Sequence, residues 1–171
     1  VKRAFLVLGP ESSGCRLVTR ILMAAGCDGD GQHLQRWDKQ LPPAESRLVV
    51  WRRSVPHHHV WPDIPQMAWL MGLEGYKTEA VVTVRRWAPM IASQVATFAH
   101  VPDDETAVAN IHRAMAWIFR GIAAAGLPFH VVTYEGLCAP GGVSRLWADL
   151  GLQGDLAQVE KLYDANHRRG F

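Results

Sequence analysis

The 171-residue chain has little of what several large functional classes require. It holds three cysteines, Cys15, Cys27 and Cys138. These are too few for a disulfide framework and lack metal-ligand spacing, so reduced thiols and no metal site are expected. Net charge is scarce too, at +2. A nucleic-acid partner would call for a strong basic stripe, and none is expected here. No apolar run reaches membrane-spanning length, and the first residues lead into a core strand rather than a signal peptide, so the expected location is cytoplasmic, without membrane. Repeats and low-complexity stretches are absent. Hydrophobic residues at 49% and charged residues at 20% are ordinary globular values, and the length predicts one domain over 1–171.

What is present is organised around residues 4–26. Ala4 to Leu8 form a continuous apolar run suited to a strand covered on both faces, which Gly9 is expected to break. From Leu17 the apolar positions Leu17, Val18, Ile21, Leu22 and Ala25 follow a helical period, closed by Gly26. The loop between feeds a helix N-terminus, where unpartnered N–H groups and the macrodipole favour an anion held against Ser12, Ser13, Gly14 and Cys15. Gly9 and Gly14 have the Walker A spacing. Cys15 stands where the lysine belongs, and Arg16 where the magnesium-binding hydroxyl belongs.

The rest alternates strands with helices. Leu48–Trp51 predicts a second strand, followed by Arg52, Arg53, Ser54 and the proline-broken run SVPHHHVWPDIP, which is either a solvated turn or part of a site at the strand's C-terminal edge. A helix is expected over Ile64–Leu73, a third strand over Glu79–Val84 ending in Arg85 and Arg86, and a helix over Trp87–His100 that carries Ser93 eight residues after Arg85. A core helix opens at Asp103 or Asp104 and ends before Gly126, and Phe129–Thr133 makes a fourth strand. Helices over about 142–150 and 155–165 complete the chain. Between Cys27 and Arg47 runs a long polar loop anchored by Trp37, a candidate lid. The predicted fold is α/β, three-layered, with a central parallel sheet of about four strands flanked by helices.

These pieces resemble the sulfotransferases that use 3′-phosphoadenosine 5′-phosphosulfate (PAPS), with their P-loop-type fold, especially the compact bacterial and phage-type members. The resemblance spans most of the chain. PESSGCR, with Pro10, Ser12, Ser13, Gly14, Cys15 and Arg16, is similar to the family's 5′-phosphosulfate loop after Gly9. VTVRRWAPMIAS reproduces the interval from Arg85 to Ser93 that holds the 3′-phosphate. VVTYEGL resembles the segment whose tyrosine, here Tyr134, contacts adenine, and Arg168, Arg169 and Gly170 look like a second 3′-phosphate element. Ser12 replaces the loop's usual basic residue, and Leu17 stands where many members place an adenine-stacking tryptophan.

The resemblance implies transfer of a sulfuryl group from PAPS to a hydroxyl or amine of a small-molecule or carbohydrate acceptor, leaving adenosine 3′,5′-bisphosphate. Ser54 stands where relatives carry the catalytic histidine. His57 is therefore expected as general base and His58 as second candidate, because both follow a strand end and imidazoles titrate near neutrality. Arg16, beside a loop without its basic residue at Ser12, is expected as the cation at the leaving group. Trp37 and Trp61 would flank the acceptor, while Trp51, Trp69, Trp117 and Trp147 read as core. A P-loop nucleotide or small-molecule kinase, and a non-catalytic nucleotide-binding protein of the same fold, are the alternative readings. No oligomeric state is implied.

Overall fold

The computed structural model describes residues 1–29, 45–56, 60–153 and 157. Four strands form one sheet: β1 (Lys2–Pro10), β2 (Leu48–Val55), β3 (Tyr76–Val84) and β4 (Phe129–Thr133), in the order β2-β1-β3-β4. Every pairing is parallel. The helices are α1 (Cys15–Ala24), α2 (Ile64–Leu73), α3 (Trp87–Thr97), α4 (Asp104–Ala125), α5 (Tyr134–Cys138) and α6 (Gly142–Asp149). The fold is therefore the expected α/β arrangement with an all-parallel sheet.

The three layers follow from strand alternation. Successive β1 side chains point to opposite faces. Phe5 and Val7 join Val18, Ile21 and Leu22 of α1 and Leu146 and Trp147 of α6. Ala4, Leu6 and Leu8 join Ile64 and Met71 of α2 and Ala114, Ile118 and Ile122 of α4. Phe5, Leu6 and Leu8 are fully buried, and burying a side chain of that size favours folding by about 1.5–3 kcal/mol.

Local chemistry sets the element ends. Asp63 accepts from the Gln66 N–H to cap α2, with Pro65 in the first turn. Asp103 does the same for α4 through the Thr106 N–H, which holds its carboxyl below the usual carboxylate range. Gly126, with φ 61°, ends α4 in the left-handed conformation. Among the described residues no helix is long and apolar enough to cross a membrane.

Several predicted boundaries need correction: β1 opens at Lys2 rather than Ala4 and β3 at Tyr76 rather than Glu79. β1 runs through Gly9 to Pro10. A Cβ at Gly9 would collide with the Thr83 and Ser13 hydroxyls, so this glycine permits close approach and does not break the strand. β2 continues to Val55, so Arg52, Arg53 and Ser54 lie within the strand. α3 stops at Thr97 because Phe98 is extended, and His100 lies beyond it. Two tryptophans expected in the core are partly exposed, Trp69 at 61% and Trp117 at 37%, the latter donating its indole N–H to the Pro62 carbonyl. Trp51 and Trp147 are buried. All of the predicted 155–165 helix except Ala157, and residues 30–44 of the 27–47 loop, Trp37 among them, lie outside the described residues.

Candidate anion-binding site

The chain leaves β1 toward β2 on one side of the sheet and later builds β3 and β4 on the other. This reversal opens a crevice beyond the C-terminal ends of β1 and β3, the place where open parallel sheets bind ligands. A cavity of about 520 Å³ lies there. Residues 10–17 line it, together with Arg20, Arg52, Ser54, Arg85, Ser93, Thr97, Phe98 and Tyr134.

The loop from β1 to α1 is built from beneath. With its proton directed to the Leu8 carbonyl (3.3 Å), the Thr83 hydroxyl accepts from Ser13 Oγ at 2.7 Å and Cys15 Sγ at 2.9 Å. Burial pushes the Cys15 thiol above its usual pKa, so at neutral pH it is a protonated packing group rather than a nucleophile. The Ser13 and Cys15 side chains are thus tied to Thr83, which leaves the start of α1 without a side-chain cap. Gly14, at φ 104°, precedes α1 without a side-chain cap, and no acidic residue occupies the helix's first turn. Ser12, at φ 68°, is the only non-glycine residue with positive φ among the described residues, a conformation that marks strain in a loop. Its hydroxyl accepts from Ser93 at 2.9 Å, which fastens the loop to α3.

From the other side, the Arg85 guanidinium lies 4.6 Å above the Tyr134 ring, and its buried Nε has no hydrogen-bond partner among the described residues. Arg85 lines the cavity, where a planar cation can meet an incoming anion. Tyr134 opens α5, and a Cβ at Gly14 would fall 2.8 Å from its ring. One ring thus braces both the loop and the arginine. Glu135 accepts from the Arg86 N–H at 3.0 Å and so occupies the start of α3. Deeper in the wall, Gln94 Nε2 donates to the Glu11 carbonyl at 2.7 Å, and the buried Glu11 carboxylate meets His100 Nε2 at 3.2 Å.

Of the residues expected at the site, Pro10, Ser12, Ser13, Gly14, Cys15, Arg16, Arg85, Ser93 and Tyr134 line this one cavity. Gly9 does not; it lies beneath the loop. Arg53 is also displaced: strand alternation sends it to the opposite face, over the Trp51 ring at 5.6 Å, where burial lowers its pKa to about 10. Trp61 packs against Trp117 in the α2/α4 layer and is not among the lining residues. His57, His58, His59, Arg168, Arg169 and Gly170 lie outside the described residues.

Sequence reasoning missed Arg20, Arg52 and Thr83. Thr83 had a signal, a lone hydroxyl in the apolar run AVVTV. Arg20 had one as well, lying four residues after Arg16 on the same face of α1. Arg52 becomes legible only once β2 is extended past Trp51. No family model matches the chain, and no curated protein matches it.

Proposed function

We propose that the protein is a PAPS-dependent sulfotransferase. The observation that carries the reading is the convergence of two anion-recognition elements on one cavity. One is the uncapped α1 N-terminus with its loop. The other is Arg85, which lines the cavity against the Tyr134 ring, with Ser93 in the same lining. A nucleotide with phosphate groups at both its 5′ and 3′ ends uses both, whereas an ordinary nucleoside triphosphate concentrates its charge at one end.

When bound, PAPS supplies an activated sulfuryl group that passes to an acceptor hydroxyl or amine. The chain's residues then divide the work. Backbone N–H groups from Gly14 onward and the α1 dipole hold the 5′ anion. Arg85 and Ser93 take the 3′-phosphate, and Tyr134 fixes the plane of Arg85 while offering its ring edge to the adenine. Arg16 lines the cavity from the first turn of α1 and sets a planar cation where negative charge builds on the leaving oxygen. The proton of the acceptor goes to His57, with His58 as second candidate. That assignment rests on the place of His57 just past the end of β2 and on the near-neutral titration of imidazole, together with Ser54, three residues before it, lining the cavity.

The kinase alternative draws less support. Cys15 stands at the Walker lysine position and turns its side chain down to Thr83, and Arg16 offers no hydroxyl for magnesium.

Titration of wild type and Arg85→Ala with adenosine 3′,5′-bisphosphate and with adenosine 5′-phosphosulfate, which lacks the 3′-phosphate, tests the assignment. The variant should bind the bisphosphate about 10- to 100-fold more weakly, the worth of a charge-assisted contact, with the phosphosulfate nearly unchanged. Equal weakening of both ligands would remove Arg85 from the 3′ position.

A further inference from the structure

Three arginines line the side of the cavity away from Arg85. Arg16 and Arg20 are one turn apart on α1, hence neighbours on one helix face. Arg52 lies on β2 opposite Val7 of β1. By strand alternation it shares a face with Val50, which packs in the α1 layer, so Arg52 rises toward α1 while Arg53 turns away. All three reach the cavity. Burial lowers the pKa of Arg52, and the nearness of Arg16 and Arg20 lowers it further; only the Cys15 sulfur opposes this, and that thiol is protonated. The guanidinium nevertheless stays charged at neutral pH. Among the described residues no carboxylate pairs with Arg16, Arg20 or Arg52. The contrast with Arg3 is direct, since Arg3 meets Glu79 at 3.0 Å.

Clustered guanidinium groups without a counter-charge repel one another, and such an arrangement is stabilised by an anion brought from outside. The loop backbone and Arg85 already provide for the two anionic ends of the nucleotide. Arg16 serves the leaving group, which leaves Arg20 and Arg52 as cationic groups on the flank that β2 and Ser54 border.

We infer that Arg20 and Arg52 form an acceptor subsite that recognises an oxyanion, so that the acceptor is itself anionic, a hydroxylated molecule already carrying a sulfate, phosphate or carboxylate group. This rests on the sulfotransferase reading for the word acceptor, and on the cavity alone for the anion. The planar forks of two arginines favour a bidentate oxyanion over an isolated halide. Selection is by charge. A neutral acceptor leaves two facing cations in a partly desolvated wall without a partner, a penalty that separates anionic from neutral molecules otherwise alike.

The test is calorimetric titration with glucose 6-sulfate, glucose 6-phosphate, glucuronate and glucose, on the full chain with and without saturating adenosine 3′,5′-bisphosphate. Wild type saturated with the bisphosphate should bind at least one of the three anionic sugars about tenfold or more tighter than glucose. The three anionic probes separate sulfate, phosphate and carboxylate as the recognised group. R20Q/R52Q should erase that preference while affinity for the bisphosphate stays within about threefold, and R20Q alone, on the helix surface, should lose part of it. Should R52Q disturb folding, as judged by its melting curve, R20Q alone decides.

Equal binding of glucose and all three anionic sugars by wild type overturns the inference, as does an R20Q variant whose preference matches wild type. A tenfold loss of bisphosphate affinity in R20Q/R52Q overturns it too, by placing these arginines in the nucleotide's own contacts. Failure of the bisphosphate to bind wild type, with an Arg20-dependent anion preference still present in the nucleotide-free protein, defeats the sulfotransferase reading and supports the anion subsite.

Discussion

The N-termini of α1 and α4 face the same physical problem and meet it in opposite ways. Each exposes N–H groups that need acceptors and a positive dipole that favours negative charge. At α4 the chain supplies both from within: the Asp103 carboxylate accepts from the Thr106 N–H, and Asp104 and Glu105 fill the first turn. At α1 it supplies neither. Gly14 has no capping side chain, the first turn has no acid, and Arg16 adds further positive charge. The helix whose end is satisfied serves the core, packing Ala114, Ile118 and Ile122 on the sheet. The helix whose end is open borders the cavity. An uncompensated helix end is tolerable when a ligand completes it, and this contrast sets the α1 terminus apart from the architectural one at α4.

The contrast is broken most severely at Gly14. Its φ of 104° disfavours any side chain, and a Cβ would meet the Tyr134 ring at 2.8 Å. Gly14→Ala should destabilise the loop by roughly 1–3 kcal/mol and abolish detectable nucleotide binding. Unaltered binding would show that the loop does not need this conformation. Next in size is Arg16. In single-turnover assays Arg16→Ala should lose roughly tenfold or more in rate, with a smaller change in cofactor affinity. Arg16→Lys should already lose activity because the planar fork is gone. A wild-type rate in Arg16→Ala would return charge stabilisation to the backbone alone. The smallest effect lies at a capped end. Asp63→Ala, which removes the acceptor for the Gln66 N–H, should cost about 1 kcal/mol in denaturant unfolding and leave nucleotide affinity unchanged. A binding defect there would blur the distinction between the two kinds of terminus.

The sequence made much of this fold legible because local signals agreed. The predicted α2 range and the β4 range match the structure, each bounded by a proline or a cap. The loop and the Arg85–Ser93 interval were readable for the same reason, since a motif is a statement about neighbours in sequence. Errors arose where polarity was mistaken for the end of an element. Arg52, Arg53 and Ser54 looked like a turn because three polar residues follow an apolar run, yet they alternate across β2. One charge enters the cavity and the next lies over Trp51. Trp69 was misplaced because α2 is apolar nearly all round, so periodicity gives its helix no inward face. The Glu11–His100 contact, between residues 89 apart, and the bracing of Gly14 by Tyr134 arise only when distant segments meet.

If the proposed function holds, the open α1 terminus and Arg85 together take one nucleotide charged at both ends. Thermal unfolding of the wild-type chain with adenosine 3′,5′-bisphosphate, and separately with ATP at equal concentration, measures this directly. A ligand that binds only the folded state at 100 times its Kd stabilises it by about 2.7 kcal/mol. Tm should rise clearly with the bisphosphate and much less with ATP, with or without magnesium. An equal or larger rise with ATP, or no rise with the bisphosphate at millimolar concentration, would contradict it.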